Sequence, residues 1–172
     1  MAKATYVAVL AFFAILIQLM VGNIHIVIPL ISFVIFYTTI VFGWKEGVIC
    51  ALFSGIVLDT LYGRTFLLSP LIGILIVLFA MLWLHKGELA ILSFQMIPSA
   101  IISIIYIIPF YYYTYYQTEH GFILALENLG LISASVIIST TLLPMLIKFL
   151  DTLNIPLGFD LYRTSQKKIE KN

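Results

Sequence analysis

The chain has 172 residues, of which 62% are hydrophobic and only 10% charged, and its mean hydropathy is +1.12. A soluble domain carries about 25% charged residues, so too little charge is present to cover a water-exposed fold. The chain reads as an integral membrane protein, which excludes soluble enzymes, nucleic-acid binders and disordered regulators. The net charge of +1 supplies no basic field for nucleic acid. The single Cys50 can form neither an intrachain disulfide nor a multi-thiolate metal site.

Crossing a hydrocarbon core takes roughly 20 apolar residues, and six runs approach that length. The first is Thr5 to Val21. It reads as a retained helix, because its apolar run exceeds a signal core and no small-x-small cleavage site follows. The second is Ile24 to Phe42, with His25 solvated near its start. The third is Gly47 to Tyr62, and the fourth is Phe66 to Leu84. The fifth starts at Leu89 and is expected to kink at Pro98 and end near Pro109, with Gln95 and Ser99 serving the freed carbonyls. A tyrosine belt, Tyr111 to Tyr116, follows. The sixth lies within Gly121 to Leu150. Thr118 is expected to cap a short interfacial helix with Glu119 in its first turn, before the true span from about Leu129.

Continuous apolar runs such as residues 72–79 do not alternate as barrel strands must. The expected fold class is therefore an all-α integral membrane protein, a compact bundle of about six transmembrane helices over residues 1–155. A short basic cytoplasmic tail, residues 156–172, follows. With the N-terminus inside, Lys3, Lys45, Lys86, Lys148, Arg163, Lys167, Lys168 and Lys171 fall on the cytoplasmic side, and only Arg64 falls outside. That bias predicts a multi-pass protein with both termini cytoplasmic. Trp44 and Trp83 then mark the cytoplasmic interface.

The most informative pattern lies in the third run. Gly43, Gly47, Ala51, Gly55, Asp59 and Gly63 recur at every fourth position, which lays a groove of small residues along one helix face. In lipid such a face lets another helix approach closely. Packing inside the bundle is the expectation for Gly47 and Ala51, and a partner helix is the other use of the groove. Asp59 is read as pairing with Arg64, or with backbone freed near Gly63. A proton relay is disfavoured, because no histidine or second carboxylate lies nearby in sequence. Gln18, Ser103 and Glu127 are further polar residues in spans, Glu127 and Asn128 fall early in the sixth stretch, and Ser133, Ser135 and Ser139, with Gly130 and Ala134, read as packing residues. No catalytic, cofactor-binding or metal-binding motif is present.

The segment from Gly43 to about Leu84 resembles the rod shape-determining MreD family of bacteria. The resemblance rests on Gly47, on Ser54-Gly55-Ile56-Val57-Leu58-Asp59-Thr60-Leu61-Tyr62-Gly63, and on the small-residue region around Gly73. After the second glycine the family often has a Pro-Leu-Gly-like turn, where this chain has Arg64-Thr65-Phe66-Leu67. The resemblance implies a non-enzymatic component of the cell-elongation machinery in the bacterial plasma membrane. Its implied partner is an MreC-like bitopic membrane protein, and beyond that an MreB-like filament and the peptidoglycan synthases. It carries over Gly55, Asp59 and Gly63 as a motif, with no catalytic residue. It also implies kinship with the fold of the substrate-binding S-components of energy-coupling-factor vitamin transporters. Such a component is the alternative reading, because Ala4-x-x-x-Ala8 is similar to their docking motif.

Overall fold

The computed structural model describes residues 2–22, 27–64, 67–86, 92–117, 122–162 and 164–165. Among them are six helices and no strand: α1 (Ala2–Gly22), α2 (Leu30–Phe42), α3 (Trp44–Leu61), α4 (Leu68–Lys86), α5 (Leu92–Gln117) and α6 (Phe122–Leu157). His25, Thr118, Glu119, Arg163, Lys167, Lys168 and Lys171 lie outside the described residues, as do the side chains of Tyr111 to Tyr116, Glu127 and Asn128. Among the described residues, three helical stretches are long and apolar enough to cross a membrane: Lys3–Gly22, Leu68–His85 and Ile132–Leu157. Leu30–Phe42 and Gln95–Pro109 are shorter apolar stretches.

α2 is the axis of the bundle. All of its residues but Phe42 are buried, and it touches α1, α3, α4, α5 and α6. Its thirteen residues make about 20 Å of helix, well short of the run expected from Ile24. Pro29 accounts for the late start: a proline suits a helix entrance but cannot donate within one, and residues 27–29 are not helical.

α2 and α3 are joined by Gly43 alone, at φ +111°, a conformation that side chains rarely adopt. α3 therefore starts at Trp44, one turn before the expected Gly47. The polar break Trp44-Lys45-Glu46 becomes its first turn, where Glu46 complements the helix dipole. α3 stops in a Schellman turn. Gly63, at φ +64°, donates to Thr60 O, and Arg64 N–H donates to Asp59 O at 2.8 Å.

The last two helices differ most from expectation. α5 runs through both Pro98 and Pro109 to Gln117, and α6 is one continuous helix of 36 residues that includes Pro144. Neither an end near Pro109 nor a separate interfacial helix before Leu129 is present. α5 and α6 pack on each other, and a neighbouring helix of this kind makes an interior proline tolerable in a membrane. Ser99 serves that pairing rather than the Pro98 kink, donating to Ser139 O on α6 at 2.6 Å. α6 continues to Leu157, and Tyr162 is fully buried in the core.

Candidate functional site

The every-fourth-residue groove of α3 is filled by this chain's own helices. A Cβ on Gly47 would run into Thr39 of α2, and one on Gly55 would lie 2.5 Å from the backbone nitrogen of Pro70 on α4. From the other side, a Cβ on Gly73 of α4 would meet the Ala51 methyl at 2.8 Å. Gly47, Ala51, Gly55 and Asp59 are all buried. Gly63 alone has open space beside it, and its role is its positive φ.

At the Gly63 end, Asp59 and Arg64 lie together, Arg64 Nη1 standing 3.4 Å from Asp59 Oδ1 with side-chain exposures of 5% and 4%. Two Ser69 groups hold the carboxylate more closely. The Ser69 hydroxyl donates to Oδ1 at 2.6 Å and the Ser69 N–H donates to Oδ2 at 3.0 Å. Ser69 lies in the first turn of α4, so Asp59 satisfies an orphan donor at a helix N-terminus and meets its positive dipole end. Arg64 also lies over the Tyr62 ring, 4.9 Å from its centroid. A buried charge is tolerable only when paired and hydrogen-bonded, and both conditions are met here.

A second polar residue ties the same end together. Gln18, 4% exposed on α1, accepts the Ile31 N–H at 3.0 Å and donates to the Tyr106 hydroxyl at 2.7 Å. Through one amide, α1 caps the start of α2 and grips α5. The sequence shows Gln18 only as a polar residue in an apolar run, since its partners lie 13 and 88 positions away.

The opposite end holds a cluster of Tyr37, Asp151, Asn154 and Tyr162. The Tyr37 hydroxyl donates to Asp151 Oδ1 at 2.7 Å, and Asn154 Nδ2 donates to the Tyr37 hydroxyl at 2.9 Å. The chain after α6 returns to this point. Tyr162 N–H donates to the same Asp151 oxygen at 3.0 Å, and the Tyr162 ring stacks on Tyr37 with centroids 6.3 Å apart. Burial pushes the Tyr162 phenol above its ordinary pKa range, so it stays neutral. The signal available in sequence was Asp151-x-x-Asn154, both on one face of an apolar helix. Among the described residues, no three His, Cys, Asp or Glu side chains gather as a metal site would require.

Asn154 Oδ1 and the Tyr162 hydroxyl are buried without a hydrogen-bond partner, while the paired groups offer positioning chemistry: capping, pairing and close helix approach. Comparison with protein-family models, with curated proteins and with solved structures finds no match to this chain.

Proposed function

We propose that this protein is a non-enzymatic, multi-pass component of the bacterial cell-elongation machinery. In this reading it resides in the plasma membrane with six spans and both termini cytoplasmic. It binds an MreC-like bitopic protein and, through that partner, supports peptidoglycan synthesis along the side wall. The observation that carries the reading is the segment Ser54 to Gly63, whose resemblance to the MreD family coincides with a defined structural unit. Gly55 admits the α4 backbone, Asp59 caps α4, and Gly63 ends α3. The three motif residues that the resemblance carries over thus all take part in the α3–α4 hairpin.

One observation favours the alternative, an S-component of a vitamin transporter. Ala4 and Ala8 are both exposed on α1, as a docking face must be. Purification from native membranes, with identification of what co-purifies, separates the two readings. Recovery of a single-span protein with a large extracytoplasmic domain is expected. Recovery of a transporter's energy-coupling module in its place overturns the proposal in favour of the alternative.

A further inference from the structure

We propose that residues 158–162, with 164 and 165 beyond them, form a strap that closes the Tyr37 end of the bundle, with the Asp151 carboxylate as its catch. Gly158, at φ +67°, turns the chain back after α6. Phe159 then sets its ring 5.3 Å from Tyr6 on α1 and 5.4 Å from Phe42 on α2. Three residues on, Tyr162 is fully buried, stacked on Tyr37 and hydrogen-bonded through its N–H to Asp151. Asn154 adds a bond to Asp160 O at 3.0 Å. The strap thus rests on two aromatic anchors, the Asp151 acceptor and its bonds to Asn154, whose backbone carbonyl accepts the Phe159 N–H at 3.1 Å.

Two features distinguish a closing element from plain core. First, closure leaves Asn154 Oδ1 and the Tyr6 hydroxyl buried without a hydrogen-bond partner. Unpaired buried polar atoms oppose the closed state, and water would satisfy them in an open one. Second, Asp160 and Ser165 form one wall of a cavity of about 320 Å³, whose other wall includes Phe42, Gly43, Leu84 and His85. That volume lies at the lower end of the ligand-pocket range. That pocket is already partly open to the surface, and moving the strap would widen it. This proposal stands apart from the functional reading above.

The test uses the full chain in detergent micelles and carries its own control. Ser165→Cys places a thiol on the strap at a position 8% exposed, while the native Cys50, 4% exposed, reports opening of the bundle itself. Modification by N-ethylmaleimide is followed at both sites by peptide mass spectrometry, each rate normalised to that in denatured chain. The strap thiol is expected to react about tenfold or more faster than Cys50. Asp151→Ala should accelerate the strap thiol by about tenfold or more again and leave Cys50 unchanged. Asp151→Asn retains an acceptor oxygen and should stay within about threefold of the parent. Equal rates at the two thiols, or a common response to Asp151→Ala, would show that the segment opens only with the whole bundle and would overturn the strap. An unchanged strap rate in Asp151→Ala would overturn Asp151 as its catch.

Discussion

Asp59 accepts from three donors, Ser69 N–H, Ser69 Oγ and Arg64 Nη1, so its substitutions separate charge from hydrogen bonding. Asp59→Asn keeps one acceptor oxygen for Ser69 and should cost about 1–2 kcal/mol. Asp59→Leu strands a buried guanidinium and the Ser69 N–H, and breaking a buried pair in this way costs about 3–5 kcal/mol. Thermal unfolding in detergent should rank parent, Asn and Leu in that order. Equal loss in the two variants would mean that the charge, and not the acceptor geometry, holds the α3–α4 turn. The Asp59–Arg64 neighbourhood was legible in sequence because the pair lies five positions apart across a helix end. Ser69 was not, because it reaches Asp59 only once the turn is closed, and Gln18 needed three helices in place before its amide had a role. Gln18→Leu should therefore destabilise by about 1–3 kcal/mol, since it removes the acceptor for Ile31 N–H and the donor to Tyr106. An unfolding midpoint equal to the parent's would show that water replaces both bonds.

At the scale of helices, the small-residue groove makes a graded prediction. Gly55→Ala already places a methyl against the Pro70 backbone, a rigid neighbour, and should cost about 1–3 kcal/mol, with Gly55→Leu costing more and lowering abundance. Gly130 on α6 has nothing within reach of a Cβ. There Gly→Ala should instead stabilise the helix by up to about 1 kcal/mol. Unfolding midpoints of the two alanine variants should move in opposite directions, and a Gly55→Ala protein as stable as its parent would place the seam elsewhere. Helix existence and the groove's periodicity were legible from the chain, because apolar runs and four-residue spacing are local facts. Helix ends were less so. Pro109 reads locally as a terminator, yet α5 passes through it beside α6. The Ile24 run reads as helix, yet Pro29 and the Gln18 cap delay α2 to Leu30.

For the whole molecule, the apolar perimeter and the placement of charge agree. Phe12, Phe13, Ile17 and Met20 of α1, Ile49 and Phe53 of α3, and Leu75, Leu78 and Leu82 of α4 are all exposed, as lipid-facing residues are. The lone basic residue on the predicted outer side, Arg64, is buried against Asp59. It therefore adds little to the charge asymmetry that orients the chain. The thirteen residues of α2 make only about 20 Å of helix against a core of about 30 Å, so a crossing there must draw on the segment before it. If α2 and the segment before it together complete a crossing, Lys3 and Lys45 lie on the same side, and Leu67 lies on the other. All three positions are exposed, so single cysteines there, in a Cys50→Ser background, report the side directly. Lys3→Cys and Lys45→Cys should resist an impermeant maleimide in intact cells and react once the membrane is opened, whereas Leu67→Cys should react from outside. Labelling of Lys45→Cys from outside, with Lys3→Cys protected, would mean that α2 ends within the bundle without crossing. The six-span topology would then fail, and with it the cytoplasmic placement of both termini.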